Sequence, residues 1–292
     1  MNRSYLLIIL CFTFIDDHMK IAYFGYDFFW KCLEYLLNND NEIIKVFTYK
    51  TDNTYNFNYK ITDLLSNKSI PVQFGKATEN DIQKLVDSGC ELIVSAAYPY
   101  KIPIINDLKG INIHPTLLPQ GRGPWPLPYI ILNKLVESGV TIHKLNEKFD
   151  SGDILIQGSY PVSEKDNLES ISCKSQIVAI DILQRLMFDF DKYWINSKPQ
   201  GEGSYWAFPS DDKQTIKWND SVDNIDRIAR AFGKLESTAN FAEKIWVIRD
   251  LSVWKQNHNY EIGSVVHETN KEVVVAASDG LVCLRFFSEY LV

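Results

Sequence analysis

Short apolar runs alternate with amphipathic stretches through the first two thirds of the chain. Residues 20–24 are apolar and stop at Gly25. Residues 27–38 then carry Phe29, Cys32, Leu33, Leu36 and Leu37 at helical spacing, which predicts a helix. The same alternation repeats: strands over 42–49 and 70–74, a helix over 60–67, and a helix over 79–88 with Thr78 as its N-cap. Residues 90–97 form a nearly continuous apolar run, as a strand buried on both faces requires. Strand and helix in alternation predict a mostly parallel α/β sheet with right-handed crossovers, a Rossmann-like fold. The first turn has only Gly25 and no GxGxxG spacing, so nothing supports a dinucleotide.

Further along, Gly110 to His114 reads as a strand that Pro115 ends, because proline has no N–H to give a ladder. A helix is expected from 124 to about 135, β runs over 140–146 and 154–162, and a long helix over 167–196. Turn residues at 199–203 suggest a linker. Residues 204–218 look irregular or paired in β structure, and 221–232 helical with Ser221 as N-cap. Short β runs follow at 244–248, 261–267, 272–277 and 281–287, the last two joined by a tight turn at Asp279-Gly280. The expected division is an extension at 1–18, an α/β domain at 19–200, and a linker helix with a small C-terminal β domain at 201–292.

Composition narrows the classes. The chain has 292 residues and a formal net charge of −7, which argues against a large nucleic-acid surface. Five cysteines, Cys11, Cys32, Cys90, Cys173 and Cys283, are scattered singly, a pattern of reduced thiols and not of a disulfide frame or zinc site. Tyr5 to Ile15 is apolar but too short to span a bilayer comfortably, and no small-residue cleavage site follows it. Met19 opens the first core strand, so the fold is expected to start there, with residues 1–18 an extension or a mis-assigned start and a membrane leader as the alternative.

Asn112 and His114 are two apart, so on a strand both point to one face at its carboxyl end. In an open α/β sheet that edge is where ligands bind. Asp150 follows a second β run, just before Ser-Gly. Amide, imidazole and carboxylate suit acyl chemistry: the first two can stabilise an oxyanion, the imidazole can also move a proton, and the carboxylate sets its orientation and charge. The spacing alone favours a bland reading, since such residues also cap turns. His143 is set aside as a packed strand histidine, and nothing in the spacing of His114, His143, Asp150 and Asp153 demands a metal.

The wording of these segments is more specific. Asn112-Ile-His-Pro-Thr-Leu-Leu-Pro119, then Arg122-Gly123, Gly139-Val-Thr-Ile-His143 and Phe149-Asp-Ser-Gly-Asp-Ile-Leu155 strongly resemble the formyltransferases that use 10-formyltetrahydrofolate. The family includes methionyl-tRNA, glycinamide ribonucleotide and sugar N-formyltransferases. The resemblance implies formyl transfer to a primary amine, with Asn112, His114 and Asp150 catalytic. It implies a pterin held by the loop 98–103, with Tyr98, Tyr100, Ile102, Leu117 and Leu118 on the folate side. Gly25, Tyr26 and Arg122 are then expected to face the acceptor. The family needs no metal and draws on a cytoplasmic folate pool.

Among acceptors, the acidic charge weakens the tRNA option, because phosphates need basic partners. The wording of residues 121–129 and the compact C-terminal region look more like a sugar N-formyltransferase. The expected partner is a UDP- or dTDP-linked amino deoxysugar destined for surface glycans, with no nucleic acid and no membrane, and a homodimer as an open option. Methionyl-tRNA formyltransferase, a formyl-folate hydrolase and a non-catalytic folate or nucleotide binder are the alternatives.

Overall fold

A computed structural model describes residues 18–39, 41–52, 56–105, 108–233 and 237–289. The apolar run of residues 5–15, and all but the last residue of the expected extension, lie outside them. In chain order the first half gives β1 (Lys20–Gly25), α1 (Trp30–Asn38), β2 (Glu42–Thr48), α2 (Tyr59–Leu65), β3 (Val72–Phe74), α3 (Glu79–Asp87), β4 (Leu92–Ala96) and β5 (Lys109–His114). It continues with α4 (Leu127–Leu132), β6 (Glu137–Lys144), β7 (Ile154–Pro161), α5 (Leu168–Phe188) and α6 (Phe190–Ile195).

These seven strands form one sheet in the order β3-β2-β1-β4-β5-β6-β7. The first five in that order pair in parallel; β6 and β7 pair antiparallel. Period-two alternation splits the side chains. Ile21, Tyr23, Val94, Ile111 and Ile113 join the cluster that α1 and α5 cover. Ala22, Phe24, Phe47 and Ile93 join Ile82 and Leu85 of α3 on the opposite face. Both faces are buried, which is why β1 and β4 read as unbroken apolar runs.

The second half gives α7 (Asp211–Gln214), β8 (Thr215–Ile216), α8 (Val222–Phe232), β9 (Ser237–Phe241), β10 (Lys244–Lys255), β11 (Val265–Glu268), β12 (Val273–Ala277) and β13 (Gly280–Glu289). They make a six-stranded sheet, β11-β12-β13-β10-β9-β8. One apolar cluster holds Leu127, Ile130, Tyr160 and Ile171 from the first half together with Ile225, Phe232, Val275 and Val282 from the second.

Several expectations shift. The helix expected over 167–196 is broken at Asp189, whose φ of −149° and ψ of 59° are not helical. The last hairpin turns on Ser278-Asp279, because Gly280 already pairs with Ala277. Thr78 and Ser221 are N-caps as expected; Thr78 accepts from Asp81 N and Ser221 from Asn224 N. Among the described residues no helix is long and apolar enough to cross a membrane.

Candidate active site

Register builds the site. β5 and β6 run antiparallel, with Asn112 opposite His143 and His114 opposite Thr141. Residues directly opposite on paired strands share a face. Asn112, His114, Thr141 and His143 therefore gather at the carboxyl end of β5, on the face packed by α3. Asp150 is brought over them by the loop between β6 and β7.

Donor and acceptor chemistry fixes the protons. A carbonyl only accepts, so His143 Nδ1, 2.8 Å from Lys144 O, carries the hydrogen. Its Nε2 is then the lone-pair side and accepts from Asn112 Nδ2 at 3.1 Å. One amide N–H of Asn112 is thereby oriented. The second N–H points at Asp150 Oδ1 across 3.5 Å, a long and weak contact that a ligand oxygen can replace. His114 donates from Nε2 to Gly121 O at 2.8 Å. Its Nδ1 faces Asp150 Oδ1 at 3.3 Å. Asp150 Oδ2 accepts from Gly123 N at 3.0 Å.

Burial works against the charge on Asp150, but His114, Gly123 N–H and His143 outweigh it and hold the carboxyl below its usual range. His143 is 2% exposed. Burial, then the facing His114, push its imidazole down to about 4, against upward pulls from Asp150 and Lys144 O. It is a neutral hydrogen-bonding group at pH 7.

A cavity of about 410 Å³ lies further back along β5, lined by Ile82, Ile93, Ile102, Leu108, Gly110 and Leu145 with Lys109 and Lys144 at its wall; none of the four polar residues lines it. Gly110 lies two residues before Asn112 on β5, and Leu145 two beyond His143, just past the end of β6, with its N–H on Gly110 O at 2.8 Å, so cavity and polar group share a face. A Cβ on Gly110 would come within 2.8 Å of Leu145 Cδ1; the bare backbone there leaves the room that a flat ring needs. The apolar walls and free backbone of the 102–105 loop suit a heteroaromatic ring with polar edges.

The other residues singled out in the sequence divide. Ile102 lines the cavity. Tyr98 is buried, and its hydroxyl donates to Gly75 O at 2.5 Å and accepts from Ala77 N at 3.1 Å, tying down the loop before α3. Tyr100 is exposed and meets Tyr49 and Tyr98 edge-on. Leu118 N donates to Thr141 Oγ1 at 3.0 Å, and Leu117 packs against Gly139. Gly25 ends β1 beside Ala96, whose carbonyl oxygen would stand 2.5 Å from a Cβ. Tyr26 packs edge-on against Tyr49 at the same sheet edge. The Arg122 guanidinium binds Gln200 Oε1 at 2.8 and 3.0 Å. His143 was missed because its value lies in its cross-strand partner, and register cannot be read from one strand.

The profile of the family described as Formyl transferase matches residues 19–186, and that of Formyl transferase, C-terminal domain, matches residues 210–287. The methionyl-tRNA formyltransferase of Lactococcus lactis is 30% identical over 220 residues, covering 73% of this chain and 69% of its own. That of Ehrlichia canis is 31% identical over 226 residues, covering 73% and 74%. In fold, the chain is similar to the N-formyltransferase from Helicobacter canadensis solved with folinic acid and dTDP-3-aminofucose, at a TM-score of 0.67 and 17% identity, over 94% of this chain and all of that one. It is also similar to HypX from Aquifex aeolicus in complex with tetrahydrofolic acid, at a TM-score of 0.69 and 18% identity. There it covers 94% of this chain but spans only 45% of HypX.

Proposed function

The chain belongs to the formyl transferase family, and on that premise we propose that it moves a formyl group from 10-formyltetrahydrofolate to the primary amine of a nucleotide-linked amino deoxysugar. The observation that carries the chemistry is the convergence of Asn112, His114, His143 and Asp150 on the same face as an apolar cavity. The co-substrate supplies an activated formyl carbon whose leaving group is an amine nitrogen. The cavity wall at Ile102, Leu108, Gly110 and Leu145 fits its pterin. Asn112, aligned by His143, turns its second N–H from the long Asp150 contact toward the formyl oxygen, where negative charge develops as the acceptor amine bonds to carbon. A preorganised donor of this kind is worth about 3 kcal/mol. His114 Nε2 is engaged by Gly121 O, so proton exchange runs through the Nδ1–Asp150 pair. The pair takes the surplus amine proton and returns one to the departing folate nitrogen, so it ends each turnover unchanged.

The acceptor class rests on charge and on fold. Residues 201–292 carry ten Lys and Arg against fourteen Asp and Glu, a net of −4. Lys217, Arg230, Lys244, Lys255 and Arg285 are each paired with a carboxylate within 3.0 Å. Such a surface is poorly suited to RNA phosphates. The fold shared with an enzyme bound to dTDP-3-aminofucose supports the sugar reading. The second reading, methionyl-tRNA as acceptor, is favoured by the names of the sequence relatives.

An acceptor panel tests both. With 10-formyltetrahydrofolate, dTDP- and UDP-linked 3-amino and 4-amino deoxysugars are compared with methionyl-tRNA. Formylated sugar nucleotide is the expected product. Product from methionyl-tRNA alone would reject the sugar reading, and formate released without any acceptor would indicate a hydrolase.

A further inference from the structure

We propose that Gln200 is a positioning residue for this reaction, holding the Asp150 turn and the Arg122 side chain in a single register. The proposal rests on the reading of Asp150 and His114 given above. Asp150 has φ of 54°, a left-handed backbone that residues with side chains keep only when their surroundings hold it. Gln200 provides that hold. Its Nε2 donates to Asp150 O at 3.0 Å and to Gly152 O at 2.7 Å. Its Oε1 accepts from Arg122 Nε at 3.0 Å and Nη2 at 2.8 Å. The reversed amide would set NH₂ against a guanidinium and oxygen against two carbonyls, so only one orientation serves.

Arg122 stands between the two residues that grip the catalytic pair. Gly121 O accepts from His114 Nε2, and Gly123 N donates to Asp150 Oδ2. Gln200 therefore closes a ring: segment 121–123 holds the side chains of His114 and Asp150, and Gln200 ties that segment to the backbone of Asp150. Loosening the ring changes the His114–Asp150 separation directly, and a 1 Å misplacement at a reacting group can cost about 100-fold in rate.

The strap carrying Gln200 is fastened by other bonds. Lys198 exchanges two backbone hydrogen bonds with Ile154 at 2.8 and 2.9 Å, Arg122 N donates to Ser204 O at 3.0 Å, and Trp206 N donates to Arg122 O at 2.6 Å. Gly121 N donates to Ser204 Oγ at 2.9 Å. Replacing the Gln200 side chain thus leaves the strap in place.

The test uses the full chain with Gln200→Glu, which keeps an oxygen toward Arg122 but removes the donors to both carbonyls, and Gln200→Leu, which removes both contacts. Three readouts are taken. They are Tm, the Nδ1 nitrogen signal of His114 in ¹⁵N-histidine-labelled protein (assigned by its loss in His114→Gln), and kcat and KM with 10-formyltetrahydrofolate and the acceptor found by the panel. Both variants are expected to melt within a few degrees of the parent, to shift or broaden the His114 signal, and to lose about 10- to 100-fold in kcat with KM little changed. An unchanged His114 signal in both variants overturns the proposal, whether or not Tm falls. So does a rise in KM alone, which would make Gln200 a ligand contact. If no acceptor is formylated, the transfer reading fails on its own, and the His114 signal still decides the role of Gln200.

Discussion

Acidification should unload stability through His143 before any of the depressed carboxylates respond. In the fold its imidazole titrates near 4, against an ordinary value of 6.5. An unfolded chain takes up the proton below about 6.5 and the folded one only near 4, so the unfolded state binds more protons in that window. Stability from this group is complete above pH 6.5 and falls as pH drops toward 4. At 1.36 kcal/mol per pH unit the whole loss is about 3 kcal/mol, most of it present by pH 4.5. Asp81, at about 2, and Asp150, also lowered, act later, because their loss begins near the ordinary carboxylate value of 3.8. The variant His143→Gln keeps an acceptor for Asn112 and cannot titrate. Urea unfolding of both proteins at pH 7.0 and pH 4.5 measures the difference. The parent should lose about 2 to 3 kcal/mol more than the variant between the two. Equal losses would show that His143 takes up its proton as readily in the fold as in the unfolded chain, and the argument that burial and His114 keep it neutral would be wrong.

Asn112→Ala should lower kcat about 10²- to 10³-fold with little change in Tm, checked by steady-state kinetics beside thermal melting. Asp150→Asn keeps the shape but not the charge, and kcat should fall about 10²- to 10⁴-fold. Gly110→Ala forces Leu145 toward the cavity; KM for 10-formyltetrahydrofolate should rise about tenfold while kcat holds, and an unchanged KM would exclude this cavity as the pterin site. Gly123 has φ of 127° and Trp206 O would lie 2.1 Å from a Cβ, so Gly123→Ala should cost about 2 kcal/mol or more, read as a lowered Tm.

The α/β sheet and the Asn112–His114 pair were legible because both follow from local rules: period two along a strand, and an apolar run where both faces are covered. The caps at Thr78 and Ser221 were legible for the same reason. What escaped depends on partners distant in sequence. His143 matters through the residue opposite it on β5. The turn-rich segment at 199–203 reads as a linker, yet Gln200, Gly201 and Ser204 are bonded along the catalytic edge. Glycine and proline give the same signal in a free linker and in a strap that must follow another backbone closely. β9 was overlooked because its polar residues alternate weakly, and β10 and β8 define it by pairing.

The mixed apolar cluster bears on how freely the C-terminal half can be exchanged. Val222, Ile225 and Phe232 of α8 cover Leu127, Ile130 and Ile171. A fragment ending near residue 200 would wet that oily seam and tend to precipitate. The halves should therefore melt in one calorimetric peak, and grafting another family's tail here would demand redesign of α4 and the start of α5 along with the graft.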